Sequence, residues 1–319
     1  MRQEIGSILA MGGLLAGSQI AALAIAPLFA AEGLQAFGDP ENAGNALVYI
    51  LLIFAFTGVI LLLIKFRRRN IAKTIVLASI FLTLAFVLLL PVFYGLVALS
   101  PEVFYTELGA NVATVLAFAL AASLSAVLVK FPEWYVVDTI GIVVAAGVTA
   151  IMGISFSLLP ALILLVALAA YDAIAVYRTK HMVALADELT SQRLPVLLVV
   201  PKRADYSYRK QGSLREQISK GEDREAMFIG LGDFIIPGTM SVSAFTWLDP
   251  FGPAVGGLAP NAVVALSTIL GSLIGFGILM RFVLRGNPQA GLPLLNGGAI
   301  TAFALSYVLV YGDLSFGLV

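Results

Sequence analysis

The chain contains no cysteine, which removes disulfide scaffolds, thiolate metal sites and cysteine nucleophiles together. Histidine is almost as scarce. With His181 alone there is no H-E-x-x-H metal site, and no membrane-embedded histidine is available to activate a serine. His181 falls in a hydrophilic loop and reads as a solvated side chain. Charge is also thin, at 12% of 319 residues against 60% hydrophobic, with a mean hydropathy of +0.98. Soluble domains carry about 25% charged residues, so this composition describes an integral membrane protein. Nucleic-acid binding has no support, and the sequence holds no internal repeat or low-complexity tract.

What the chain has is apolar length. Hydrocarbon about 30 Å thick needs roughly 20 apolar residues per helix. Candidate spans occur at about 7–31, 46–64, 72–99, 111–129, 135–153, 157–177, 226–247, 258–284 and 291–311. The expected fold is therefore an all-α polytopic membrane protein with nine transmembrane helices. Arg2 and Phe29-Ala-Ala-Glu32 flank the first run as in a signal peptide. Its length of about 25 residues exceeds a usual signal core, so it reads as a retained span.

The basic residues test this count. All 19 Lys and Arg fall on the N-terminal tail or in the connections after spans two, four, six and eight. Glu32, Asp39, Glu41, Glu102, Glu107, Asp249 and Asp313 occupy the alternate connections and the C-terminal tail instead. By the positive-inside rule, the N-terminus is cytoplasmic and the C-terminus external. Three parts follow within one membrane domain: residues 1–177, a cytoplasmic loop 178–225, and residues 226–319. The loop is hydrophilic, with a break at Gly212-Ser213, apart from the run Pro195-Val-Leu-Leu-Val-Val-Pro201, which predicts a short strand.

Two carboxylates interrupt the spans. Asp172 lies in the sixth and Asp233 in the seventh, and a buried acid at membrane depth is costly enough to mark a functional position. The two helices run antiparallel from one cytoplasmic loop. At 1.5 Å per residue, Asp172 lies roughly 9 Å inside Arg178 and Asp233 roughly 13 Å inside Arg224, so their depths are similar. Two acids held together in a low-dielectric site share one proton. Such a pair can serve as base toward water and acid toward a carbonyl. It can equally couple an ion or proton in a secondary transporter or channel, and the spacing alone leaves both readings open. A third acid, Asp138, lies just inside Trp134-Tyr135, which read as interface anchors; it is expected to face headgroups or a polar group of a neighbour.

Tyr171-Asp172 and Gly230-Leu-Gly-Asp233 resemble the signatures of the presenilin and signal peptide peptidase family of intramembrane aspartyl proteases. Gly291-Leu-Pro-Leu-Leu-Asn296, opening the ninth span, is similar to the family's third element, with Pro293-Leu294-Leu295 where Pro-Ala-Leu is usual. Three elements in order on the sixth, seventh and ninth spans make the likeness specific over the last four spans. The resemblance implies a presenilin-like fold and an aspartic endopeptidase that cuts transmembrane segments, with Asp172 and Asp233 as the catalytic pair. It places Tyr171, Gly230, Leu231, Gly232, Pro293, Leu294 and Leu295 against substrate, with neither metal nor organic cofactor. The implied partners are transmembrane helices of substrate proteins and the lipid bilayer, with a homo-oligomer left open. The implied location is the cell membrane. The inferred orientation matches the presenilin branch, whereas Asp233-Phe-Ile-Ile-Pro237 resembles signal peptide peptidases, a combination that looks like an archaeal homologue. A helical substrate must unwind before attack, and its freed backbone groups then need partners. Strand addition to Val196–Val200 or to the backbone around Pro293–Leu295 would supply them, although Val196–Val200 reads equally well as an apolar patch resting on the membrane surface or covering the site as a lid.

Overall fold

A computed structural model describes residues 2–179, 197–203, 205–210, 225–252, 254–284 and 289–317. Most of the 178–225 loop, including His181, Pro195, Val196 and Gly212-Ser213, lies outside them. The helices are α1 (Arg2–Ala31), α2 (Gly44–Lys65), α3 (Arg69–Leu99), the single turn α4 (Pro101–Phe104), α5 (Glu107–Lys130), α6 (Trp134–Ser155), α7 (Leu158–Ile174), α8 (Gly232–Trp247), α9 (Pro260–Val283) and α10 (Leu292–Tyr311). Eight of them, counting α7 with the helical turn that continues it to Arg178, are long and apolar enough to cross a membrane. The remaining apolar segment of the sequence contributes α8, whose 16 residues reach only about 24 Å.

That shortness is a departure from the sequence reading. The segment 226–247, expected to be one helix, divides into a strand β2 (Ala226–Gly230) and then α8. Gly230 and Gly232 flank the division, and glycine lowers the cost of leaving the helix there. The run Pro195–Pro201 supplies the partner: strand β1 (Leu197–Pro201) pairs antiparallel with β2, with Val199 opposite Phe228. Among the described residues the all-α expectation thus has one exception, a two-stranded sheet.

The sheet is built into the bundle and does not rest on its surface. Leu198 and Val200 of β1, with Met227 and Ile229 of β2, pack on one side against α1, α6, α8, α9 and α10. Val199, Ala226 and Phe228 pack on the other side with Tyr206, Tyr208 and residues of α3 and α6. This is the alternation of a strand covered on both faces. The backbone follows the same alternation. Val199 donates its N–H to Asp138 Oδ1 of α6 at 2.7 Å, so it points away from β2. In an antiparallel pair the neighbouring positions Leu198 and Val200 then exchange hydrogen bonds with Ile229 and Met227. Pro201 occupies a position that needs no donor.

Small residues bring the helices close around this sheet. On α6, the most enclosed spanning helix, a Cβ at Gly141 would meet Leu198 at 2.8 Å and Leu231 at 3.4 Å. Side chains at Gly147 and Gly153 would strike Val87 and Val242. Helices α9 and α10 approach backbone to backbone where Gly271 meets Gly298 and where Gly275 meets Leu294.

Candidate active site

Three helix ends meet at one level of the bundle. Asp172 occupies the last turn of α7, after which the chain continues as a π-helical turn, Ala175–Thr179. Asp233 occupies the first turn of α8, directly after β2. Gly291 and Leu292 open α10. Asp172 is buried, at 8% exposure, while Asp233 is partly accessible. The two carboxylates lie close enough to interact electrostatically.

The start of α10 joins the two acids. A helix leaves its first N–H groups without intrahelical partners. Here Leu292 N–H donates to Asp172 Oδ2 at 3.1 Å and Gly291 N–H also donates to Asp172. Pro293, the next residue, has no N–H to satisfy and its fixed φ suits a first turn. The Cα of Gly291 meanwhile faces the other acid, since a Cβ there would lie 3.1 Å from both carboxylate oxygens of Asp233. Asp233 in turn accepts the N–H of Gly230. Pro237, four residues on, cannot donate to the carbonyl of Asp233 and so loosens this first turn of α8.

Polar contacts outside the pair hold these helix ends. Asn296, fully buried, donates to the Leu165 carbonyl at 2.8 Å. Leu165 lies two turns before Asp172 on the same face of α7, so the antiparallel helices α7 and α10 are pinned at two levels. Tyr177 in the π-helical turn donates to Gln289 Oε1 at 2.8 Å and accepts from Ala290 N–H, which fixes the lead-in to Gly291. Gln19 of α1, also fully buried, donates to the Phe234 carbonyl and accepts from Ser272 Oγ of α9 at 3.3 Å.

The residues singled out in the sequence are distributed as follows. Gly230, Leu231 and Gly232 form the turn between β2 and Asp233, with Leu231 buried and Gly232 exposed. A Cβ at Gly232 would meet nothing within 4 Å, so open space borders the pair there. Leu295 is fully buried in the core shared with Leu198 and Leu231, Leu294 packs at its edge, and Pro293 and Leu292 are partly buried. Tyr171 lies beside Asp172 in the chain, but its ring packs on Phe54 of α2, with centroids 4.7 Å apart. Asp138 holds the outer edge of β1, the neighbour's polar group that its position suggested.

Gly291, Asn296, Tyr177 and Gln19 did not stand out as site residues. Gly291 and Asn296 belong to the quoted Gly291–Asn296 element, and Gln19 is a polar residue within an apolar span, which was a legible signal. The roles of backbone N–H groups leave no mark on residue identity.

Comparison with known proteins places the chain in a family. The family described as Signal-peptide peptidase, presenilin aspartyl protease matches residues 12–311. No curated protein sequence matches the chain. Among solved structures, a presenilin family intramembrane aspartate protease in a C222 crystal form is 33% identical, covering 95% of this chain and 99% of its own, with a TM-score of 0.65. A presenilin family intramembrane aspartate protease in a P2 crystal form is also 33% identical, covering 94% and 97%, with a TM-score of 0.62. These likenesses leave the transporter reading without support. With two facing aspartates joined by one helix start and a family match over nearly its whole length, the chain belongs to the signal peptide peptidase and presenilin family of intramembrane aspartyl proteases.

Proposed function

We infer that Asp172 and Asp233 are the catalytic pair and that they hydrolyse peptide bonds within transmembrane segments of other membrane proteins. The observation that carries this reading is the start of α10: its N–H groups fix one carboxylate while Gly291 lies against the other. Two acids sharing one proton supply both functions hydrolysis needs. The ionised carboxyl takes a proton from water as the water attacks the scissile carbonyl carbon. The protonated carboxyl donates to the carbonyl oxygen, stabilising the tetrahedral intermediate, and the proton gained from water then passes to the departing amide nitrogen. Cleavage assays with Asp172→Asn and Asp233→Asn test the assignment.

Substrate presentation follows from the sheet. Val196–Val200 was one expected docking strand, but the outer edge of β1 is held by Asp138 at Val199. The edge left facing away from β1 belongs to β2, where Phe228 presents its N–H and C=O outward; among the described residues nothing on this edge pairs with Phe228. An unwound substrate added there would run toward Asp233, five residues on, past the open space at Gly232. In this reading Gly232, Pro293 and Leu294 border the substrate, with the buried Leu231 and Leu295 packed behind them, while Tyr171 supports Asp172 from the α2 side.

Gly291 gives an independent check. Its backbone is right-handed helical, with φ −77°, so alanine fits the chain conformation. The added methyl, however, would press on both oxygens of Asp233. Gly291→Ala is expected to cut kcat on the order of 10²-fold, as small displacements of a catalytic group do, with little change in thermal stability. Wild-type kcat in that variant would remove Gly291 from the site.

The membrane orientation rests on the nineteen basic residues. A reporter fused after Val319 should lie outside the cell membrane, and one inserted near Gly212 inside. Both reporters on one side would contradict an odd number of crossings between them. Water then reaches the pair from the cytoplasmic face, to which it lies closer.

A further inference from the structure

Asp138 is a buried carboxyl that the chemistry does not use. It is 5% exposed, lies just inside the cytoplasmic end of α6, and among the described residues has no cation paired with it. Its recorded partner is the Val199 N–H, at 2.7 Å. Burying an acid for one backbone hydrogen bond is costly, so the placement of that bond is informative.

The bond falls on one face of α6 that carries β1 and the turn leading to Asp233. One turn after Asp138, Gly141 allows Leu198 of β1 and Leu231 of the Gly-Leu-Gly turn to sit directly on the helix backbone. One turn further, Ala145 packs in the same core as Leu198, Leu231 and Phe234. At the helix start, Glu133 accepts from Ser207 Oγ at 2.8 Å and from Tyr208 N–H at 3.1 Å, holding the chain that follows β1. Residues 133, 138, 141 and 145 thus fix the hairpin laterally, and Leu231 ties it to Asp233, two residues on. Within this set Asp138 alone touches the backbone of a strand. It occupies an edge that would otherwise accept a second peptide, since edge strands offer unpaired donors and acceptors to any extended chain.

We propose that Asp138 is a specificity-determining positioning residue, which closes the outer edge of β1 and fixes the hairpin so that substrate pairs on β2 in one register. The proposal rests on the reading that substrate adds to β2. Because β2 runs straight into Asp233, a shift of the hairpin along α6 changes which substrate bond reaches the acids. A slip of one residue also turns every substrate side chain to the other face.

The test is cleavage of a transmembrane peptide by the full-length protein, with products identified by mass spectrometry and kcat and KM measured separately. Asp138→Leu removes the acceptor at similar size, and is expected to move or spread the cut sites by at least one residue and to raise KM about tenfold, the value of roughly one hydrogen bond. Asp138→Asn keeps an acceptor oxygen and should retain the wild-type cut sites. Val199→Pro removes the same bond from the strand side without touching the β1–β2 ladder. It should reproduce the Asp138→Leu pattern, and the double variant should add nothing. It also decides the matter if Asp138→Leu does not fold. Unchanged cut sites in folded Asp138→Leu or Val199→Pro, whether or not the rate falls, mean a structural role alone and overturn the proposal. An Asp138→Asn pattern like that of Asp138→Leu overturns it too, because charge and not acceptance would then matter. Wild-type cleavage by Phe228→Pro would instead remove the β2 docking edge itself.

Discussion

Asp172→Asn and Asp233→Asn should each lower cleavage of a transmembrane peptide by about 10⁴-fold or more, the upper range of what one general acid or base supplies. Asparagine preserves shape and leaves one acceptor oxygen, so Asp172→Asn can still receive the N–H of Leu292 and the helix ends should stay seated. The amide cannot take a proton from water or return one. Thermal stability in detergent is therefore expected to remain near wild type while hydrolysis disappears. The double variant should be no slower than the slower single variant, because groups acting on one shared proton form a unit. A single variant retaining a tenth of the activity would exclude the pair as the machinery. Losses that multiply in the double variant would mean that the two acids act separately.

Phe228→Pro should reduce cleavage by about 10- to 100-fold, the cost of about 1–3 kcal/mol for a buried backbone group left unpaired. Phe228 sits at a position of β2 whose N–H and C=O face away from β1, so proline there breaks no bond of the ladder. It removes the donor that a substrate strand would use. The ring of Phe228 also packs near Tyr208, with centroids 6.3 Å apart. Phe228→Ala, which removes the ring and keeps the N–H, is the control and should stay within a few-fold of wild type. Equal losses in both variants would assign the effect to packing, and a proline variant with wild-type turnover would move substrate pairing elsewhere.

Much of this arrangement could be read from the residues. The apolar runs and the placement of every Lys and Arg set out the helices, and Asp172 and Asp233 stood out because acids are expensive at membrane depth. The strand at Pro195–Pro201 was visible from its β-branched run between prolines. Its partner was not, since Ala226-Met-Phe-Ile-Gly230 continues an apolar segment of helical length, and a short apolar run does not distinguish buried strand from helix. Pairing with β1 decided that segment. The same limit hid the role of α10. The family resemblance pointed to Pro293–Leu295, whereas the contacts to the acids come from the backbone of Gly291 and Leu292 just before them, and only the fold reveals which helix start faces which carboxyl. For Tyr171, the place beside the acids came from the family resemblance, and the fold adds that its ring packs on Phe54 of α2.

Hydrolysis by the Asp172–Asp233 pair is tested most directly by incubating purified protein with a transmembrane peptide in vesicles that carry no ion gradient, followed by mass analysis of the products. Two fragments are expected whose masses sum to the peptide plus one water, with the cut inside the apolar segment, and no such fragments from Asp233→Asn. The same fragments from Asp233→Asn, or an intact peptide with folded wild-type protein, would contradict hydrolysis by this pair.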